Sequence, residues 1–397
     1  VPRLGGADGS SRVLEVFRVF DELASKSNRF VIAFSGGKDS TALAILLLEW
    51  ILDRGRSDLN VTIIHSDTLS EIPEMESWAR AFAKRYSEML RKVGVEVETV
   101  FEEPQPTETF YWRVFVRGYP APTFTFRWCV KLLKRKPAQR ALKAVDGSIL
   151  LLGHRDSESS ARAQKIHSRL GCPLGPSRCS SYYFSEASAV KAYPIRGWSD
   201  SDVFNFLRER SSVYGLDELL RLYGYGLVNA RYGCWHCTLV RHQLGHLVMG
   251  GGHMYFEALR KIYRWVSDIP ELRIPKERGY SRLGALNAGA RSLIHRLIPE
   301  AEKLSGINLY GLDMSSVYGH TLREIFYTIP PREANEIVME EEKREGGDLS
   351  RIVPIEDIRN IDKHRSSLEK HLEKIIEKSD EDSIAGKYIR ELLHRAL

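Results

Sequence analysis

Ser35-Gly36-Gly37-Lys38-Asp39-Ser40 has the residue types of an anion-binding turn. Gly36 and Gly37 allow positive φ and let backbone N–H groups come close to a phosphate. A helix starting there adds the partial positive charge of its N-terminus. Lys38 can neutralise phosphate charge, Ser35 and Ser40 can donate hydroxyls, and Asp39 can hold Mg²⁺ or cap the turn. The string is not a Walker loop, which needs four residues between its first Gly and Gly-Lys.

A second group is the cysteines. There are five, Cys129, Cys172, Cys179, Cys234 and Cys237. An odd number without a secretory leader argues against a disulfide framework. The spacing of Cys234-Trp235-His236-Cys237 suits zinc ligation, iron–sulfur ligation or a redox dithiol. Cys172 or Cys179, taken singly, also reads as a buried thiol. The third group is basic: Arg127, Lys131, Lys134, Arg135, Lys136, Arg140 and Lys143. Arg127, Lys131 and Lys134 can share one helical face, as phosphate contacts or as a solvated surface. Arg231, Arg241, His242 and His246 flank the Cys pair and could extend the patch. Tyr111, Trp112, Phe124 and Phe126 read first as core packing, with base stacking as the alternative.

The elements that must position these groups alternate between strand and helix. Residues 13–28 form an amphipathic pattern, with Val13, Val16, Phe17 and Phe20 on one face. Phe30 to Phe34 is a short apolar run ending in the Gly-Gly turn, as expected of a buried parallel strand. Thr41 to Leu52 has helical length. Val61 to His65 predicts a second strand, 73–92 a helix, Val95 to Phe101 a third strand, and Val130 to Val145 a helix starting or bending at Pro137. Ser148 to Leu152 predicts a fourth strand. The pattern is that of an α/β fold with a doubly wound parallel sheet, its ligands at the carboxyl ends of the strands. Beyond residue 240 helical periodicity dominates, with Leu368, Leu372, Ile375 and Ile376 on one helix and Ile384, Tyr388, Leu392 and Leu393 on another. Glu340 to Asp348 reads as an exposed charged connection. The expected division is 1–240 for the nucleotide-binding domain with its Cys-rich segment, and 241–397 for a mainly helical domain.

With 397 residues, 43% hydrophobic and 28% charged, the composition excludes a mostly disordered chain. A net charge of +6 permits an anionic partner without requiring one. No apolar run approaches the roughly 18 residues of a spanning helix, and no apolar leader is visible, so the expected location is cytoplasmic.

The hexapeptide at 35–40 resembles the SGGKDS signature of the PP-loop adenine nucleotide hydrolase superfamily, with its HUP-like sheet. In those proteins the loop binds the pyrophosphate part of ATP or the sulfate or phosphate of a sulfonucleotide. Three further stretches resemble the phosphoadenylyl-sulfate (PAPS) reductase-like branch. His65 to Glu74 is similar to its DTG-x-EFPE segment, with Leu69 at the usual Gly. Gly153 to Arg162 is similar to its G-x-R-x-x-E-S-x-x-R loop. Pro194 to Val203 is similar to its P-I-x-x-W-[ST]-x-x-D-V lead into a helix, where Ser199 is a natural N-cap and Asp202 completes a capping box. Arg231 to Val240 and Arg127 to Lys134 resemble segments of DndC-type DNA phosphorothioation proteins, and Leu283 to Gly306 shares their Arg-rich helical character.

The resemblance implies a nucleotide site of Ser35, Gly36, Gly37, Lys38, Asp39, Ser40, Asp67, Arg155, Glu158 and Arg162, with Lys38, Asp39 and Arg155 in catalysis. It implies a [4Fe–4S] cluster on Cys129, Cys234 and Cys237, with Cys179 preferred over Cys172 as the fourth ligand and a zinc site as the alternative. Sulfonucleotide reductases carry a nucleophilic Cys in an E-C-G-x-H type segment near the C-terminus, and this sequence has no Cys after Cys237. The leading expectation is therefore a PP-loop pyrophosphatase and sulfurtransferase using ATP and Mg²⁺. Its acceptor would be DNA or tRNA, and its sulfur donor a protein such as a cysteine desulfurase. The alternatives are a PAPS or adenylyl-sulfate reductase, a tRNA thiolation enzyme, and a non-catalytic nucleotide-gated subunit.

Overall fold

Phe30, Val31 and Ile32 have no polar side chain to satisfy and lie fully buried in β1 (Arg29–Phe34), at the centre of the sheet. The computed structural model describes residues 7–143, 147–158, 160–170, 182–186, 189–227, 230, 232–239, 245, 249–275, 283–382 and 384–397. It divides into two units interleaved along the chain. One comprises 1–66, 74–102 and 137–230, and the other 67–73, 103–136 and 231–397.

In the first unit, α1 (Ala7–Ala24), α2 (Lys38–Arg54) and α3 (Pro73–Lys92) accompany β1, β2 (Asn60–Ser66) and β3 (Glu96–Glu102). The sheet continues through β4 (Ile149–Leu152), β5 (Tyr183–Glu186) and β6 (Ala189–Ala192) in the order β3-β2-β1-β4-β6-β5. Its pairings are parallel except β5–β6. The doubly wound parallel architecture expected from the alternation is therefore what forms. β5 and β6 were not anticipated. Each has four residues, like β4, but lacks the unbroken apolar run of Ile149 to Leu152: Ser185 and Glu186 interrupt one and Lys191 the other.

Strand order reverses at β1, whose neighbours are β2 on one side and β4 on the other. In open α/β sheets this switch point leaves a crevice beyond the carboxyl ends of the strands. The Ser35 turn follows β1, and Gly153-His154-Arg155 follows β4. Gly153 allows the close approach: a Cβ there would stand 3.1 Å from the Asp39 carbonyl carbon and the Ser40 nitrogen.

The second unit is mainly helical, including His253–Asp268, Ala288–Ser305, Pro331–Arg344, Arg365–Asp380 and Gly386–Ala396. Its core takes in Phe110, Trp112, Phe115, Trp235, Leu293 and Phe326. Leu368, Leu372 and Ile375 are buried as their spacing predicts, whereas Ile376 is exposed. Arg291 is fully buried and donates to the carbonyls of Leu286, Phe115 and Val116. Burial pulls its pKa down to about 10. Arg291 ties the Arg-rich stretch to the fold rather than to a ligand.

The expected exposed connection at Glu340 to Asp348 holds for Glu340, Lys343 to Gly346 and Asp348, which are exposed, and is corrected at Glu341 and Glu342. Residues up to Arg344 continue the helix Pro331–Arg344, and Glu341 and Glu342 are each 1% exposed. Glu342 accepts from Trp112 Nε1 at 2.5 Å and from Arg117 Nε at 2.8 Å. Those partners lie more than 200 residues away in sequence, so charge density alone misled the reading. Glu342→Ala strands a buried indole N–H and a guanidinium, and is expected to cost about 3 kcal/mol of stability. Glu342→Gln, which keeps an acceptor, should cost less. Equal chemical-denaturation midpoints for Glu342→Ala and the parent would refute the assignment.

Candidate functional site

The phosphate turn is held by its own side chains. Ser40 Oγ accepts from Ser35 N–H at 3.2 Å, lies 3.1 Å from Ser35 Oγ and donates to the Gly37 carbonyl at 3.0 Å. Gly36 has φ +74, where an L side chain is strained, and a Cβ there would stand 2.5 Å from Ala79 Cβ. The Gly36 carbonyl accepts from Trp78 Nε1 at 3.0 Å. Gly37 is the N-cap of α2 and has no side-chain cap. The first turn of α2 thus carries N–H groups suited to an anion.

Arg155, 1% exposed, organises the charges around this turn. Its Nε donates to Asp39 Oδ1 at 2.7 Å and its Nη2 to Asp200 Oδ1 at 2.7 Å. Its Nη1 donates to Ser157 Oγ at 2.9 Å and to the Trp198 carbonyl at 3.2 Å. Lys38 Nζ lies 3.0 Å from Asp39 Oδ2 and 3.2 Å from Asp200 Oδ1. Both Asp39 oxygens are therefore engaged by cations, and an Mg²⁺ ion there would have to displace one of them. Burial works to raise the Asp200 carboxyl pKa, but the charges of Lys38 and Arg155 and their hydrogen bonds prevail and leave it lowered.

Lys38 Nζ also stands 5.9 Å from the Phe204 ring centroid and 5.7 Å from that of Tyr223. A cavity of about 200 Å³ lies beside it, lined in part by Lys38, Asp200, Phe204, Asn205, Arg208 and Leu227. Phe204 and Arg208 come from the helix Asp200–Glu209, whose expected capping box forms. Ser199 Oγ accepts from Asp202 N–H, and Asp202 Oδ2 accepts from Ser199 N–H at 2.7 Å. Sequence reasoning found this cap but missed Asp200, the next residue, which shares Lys38 and Arg155. The available signal was an extra carboxylate in the first turn of a helix that follows a capping Ser.

Ser35 to Ser40 and Arg155 are brought together. Glu158 is half-buried in the turn Asp156–Glu158 that follows Arg155. Arg162 belongs to the helix Ser160–Arg169, and its side chain lies outside the described residues. Asp67 belongs to the second unit and is fully buried, accepting from Leu69 N–H and Tyr310 Oη at 2.7 Å each. Leu69 has φ +55, the left-handed conformation that the resembling segment fills with Gly.

In the second unit, Cys129 is the N-cap of a π-helical stretch, Val130–Arg135. Cys129 and Cys234 are buried, Cys237 is half-buried, and none forms a disulfide. Burial first, and then the charge of Cys237, pushes the Cys129 thiol up to about 11. Burial and then Glu71 push Cys234 well above the ordinary thiol range, against the pull of Lys134. Cys234 Sγ lies 3.4 Å from Thr68 Oγ1 and 3.7 Å from Glu71 Oε1, and Lys134 Nζ is 3.4 Å from the same oxygen. His236 between the two cysteines is fully buried, stacked on Phe110 with centroids 4.1 Å apart, and neither ring nitrogen has a hydrogen-bond partner among the described residues. Burial pulls its pKa down to about 3.

Among the described residues no three His, Cys, Asp or Glu side chains are grouped closely enough to hold a metal ion. By donor type alone, the thiols of Cys129 and of the Cys234–Cys237 pair, from two segments of the second unit, are soft ligands of the kind an iron–sulfur cluster takes. Cys172 and Cys179 lie outside the described residues.

Residues 29–240 match the family described as the phosphoadenosine phosphosulfate reductase domain. The chain belongs to that family. No curated protein matches it. A PAPS reductase from Candida auris in a phosphate complex is similar at 20% identity over 56% of this chain and 90% of its own, with TM-score 0.34. The U34-tRNA thiolase NcsA from Methanococcus maripaludis, with its [4Fe–4S] cluster, is similar at 15% identity over 55% of this chain and 78% of its own, with TM-score 0.30. A Candida glabrata FMN adenylyltransferase in complex with FAD and inorganic pyrophosphate follows at 12% identity over 51% of this chain and 57% of its own, with TM-score 0.32. No helix among the described residues is long and apolar enough to cross a membrane.

Proposed function

We propose that this protein uses ATP–Mg²⁺ to activate an acceptor for sulfur transfer, with pyrophosphate released. The observation that carries the reading is the Ser35–Ser40 turn at the sheet's switch point, with Lys38 and Arg155 converging on Asp39 and Asp200. The turn's N–H groups and Lys38 would hold the departing pyrophosphate. Arg155 would keep Asp39 and Asp200 in place while Lys38 moves onto phosphate. An acceptor oxygen attacks the α-phosphorus, the α–β phosphoanhydride bond breaks, and pyrophosphate leaves with its negative charge stabilised in place. A sulfur nucleophile at the hydrosulfide level then attacks the acceptor, the bond to AMP breaks, and no electrons are transferred.

The two segments resembling DndC-type proteins favour a DNA backbone phosphate as the acceptor, with a tRNA base as the rival and a cysteine desulfurase as the upstream sulfur source. Cys129, Cys234 and Cys237 would hold the cluster, with Cys179 the candidate for a fourth ligand. Were only those three to bind, the cluster would instead offer one open iron to soft sulfur. Asp67, Glu158 and Arg162 remain assigned to the nucleotide by resemblance.

The test is pyrophosphate release from ATP with and without DNA or tRNA. Lys38→Ala and Ser35→Ala should weaken ATP binding, since each charge-assisted contact is worth roughly 1.5–3 kcal/mol. Unchanged ATP affinity and turnover in both variants would remove the loop assignment. Family membership favours a second reading, reduction of a sulfonucleotide. That reaction needs a mobile nucleophilic thiolate. The five cysteines all lie between 129 and 237, and a cluster ligand cannot leave to attack sulfur. The 397-residue chain should therefore release no sulfite from PAPS or adenylyl sulfate with thioredoxin or glutathione. Sustained sulfite production, abolished by Cys172→Ser or Cys179→Ser, would establish the reductase instead.

A further inference from the structure

Of the four aromatics weighed for base stacking, Tyr111, Trp112, Phe124 and Phe126, two are core and two are not. Tyr111 and Trp112 are fully buried, whereas Phe124 is 72% and Phe126 44% exposed. Every residue from Thr123 to Arg127 is exposed. Phe126 leans on Tyr119, with ring centroids 5.9 Å apart, and the remaining surface of both phenylalanines faces water and forfeits the transfer energy that burial would return, so the turn that displays them has room for an occupant.

The turn is rigid by its bonding. Thr123 and Phe126 exchange backbone hydrogen bonds at 3.3 and 3.2 Å, and Phe126 N–H also reaches Thr123 Oγ1 at 3.0 Å. Thr238 Oγ1, one residue beyond Cys237, donates to the Pro122 carbonyl at 2.7 Å. Trp128 Nε1 donates to the Pro120 carbonyl at 3.0 Å, and Ala121 N–H to Ser267 Oγ at 2.9 Å. The rings are thus carried on a turn tied to the Cys-x-x-Cys segment and preceding Cys129 by a few residues.

The charges that follow them along the chain, from Arg127 to Arg140, have one sign. Arg127 stands with its guanidinium carbon 5.3 Å from the Phe124 centroid, and its Nε donates to the Phe124 carbonyl at 3.1 Å. Lys131 and Arg135 are exposed on the following π-helical stretch. Exposed rings interleaved with cations match a strand whose bases are unpaired: flat faces to stack and a phosphate every nucleotide. A duplex hides its base faces and offers only the phosphates. A protein partner would need an apolar counterpart that tolerates Arg127, Lys131 and Arg135 around it.

We infer that Phe124 and Phe126, flanked by Arg127, Lys131 and Arg135, form a stacking platform for single-stranded nucleic acid bases beside the cysteine segment. The inference rests on the proposed nucleic-acid acceptor and names how that acceptor is gripped.

The experiment measures anisotropy of labelled 12-nucleotide single-stranded DNA, single-stranded RNA and duplex DNA with the full chain, alongside ATP affinity and melting temperature. The parent should bind single strands more tightly than duplex. Phe124→Ala and Phe126→Ala should each weaken single-strand binding about tenfold, with ATP affinity and melting unchanged. Abasic substitutions should weaken the parent but add nothing in the double variant. The DNA and RNA arms decide which strand is preferred. Full binding by the double variant overturns the platform, and so does failure of the parent to bind any single strand. Pyrophosphate release separates the two claims. If nucleic acid stimulates release equally in the parent and the double variant, the acceptor reading stands and the platform falls. If the rings govern binding but nucleic acid never stimulates release, the platform stands and the acceptor reading falls.

Discussion

Arg155→Ala should abolish ATP-driven pyrophosphate release and destabilise the first unit by about 3 kcal/mol. The size follows from what one side chain does. Arg155 is 1% exposed and meets two carboxylates, a hydroxyl and a carbonyl through its guanidinium. Removing it leaves Asp39, 18% exposed, with Lys38 alone, and Asp200 loses its buried partner. Asp200 is 56% exposed, so water recovers part of the loss there, and the estimate sits at the lower end for a broken buried ion pair. Lys38 would then be drawn to two under-compensated carboxylates and away from phosphate. Arg155→Lys keeps the charge but not the fork, and cannot serve Asp39, Asp200 and the Trp198 carbonyl at once. It should retain more stability than activity.

The pH dependence has a definite sign. The folded Asp200 carboxyl is held below its ordinary range, so its contribution is complete above the unfolded carboxylate pKa. It is lost as pH falls through the lowered folded value. The parent should therefore lose stability on acidification, and Arg155→Ala should lose less over that interval. Chemical denaturation at several pH values reads this directly. A variant that melts like the parent and still releases pyrophosphate would show that Arg155 organises nothing.

Anaerobically purified protein should be brown, with about four irons and about four sulfides per chain. Cys129→Ser, Cys234→Ser and Cys237→Ser should each remove the visible absorption and most of the iron. A hydroxyl is a poor substitute for the thiolate that iron requires. The environment accentuates the effect. Cys129 and Cys234 are buried where burial itself disfavours the thiolate, so without a metal both stay protonated. Metal binding must therefore release protons, and cluster retention should weaken as pH falls. Whichever of Cys172 and Cys179 is not a ligand should be replaceable without loss of iron. One tightly bound zinc per chain and no sulfide would replace the cluster with the zinc alternative.

The amino-acid order alone specifies the strand–turn–helix at residues 29–54, because the apolar run, paired glycines and following helix are local signals that agree. It also determined the cap at Ser199 and Asp202, whose partners are three residues apart, and the parallel sheet, because alternating strand and helix leaves little other topology. Pro73–Lys92 carried its own start signal in a Pro at the first helical position. Contacts between segments distant along the chain set the remainder. The resembling loop assigned Arg155 to the nucleotide site without naming its partners; Asp39 and Asp200, 116 and 45 residues away, make it the buried hub of the turn. Glu342 looked like part of a solvated charge run until Trp112 and Arg117 supplied its partners. Phe124 and Tyr111 are both aromatics before a basic stretch, and no local pattern distinguishes the exposed ring from the buried one. In each case the deciding quantity is burial against residues distant in sequence. Periodicity and spacing record only what neighbouring residues share.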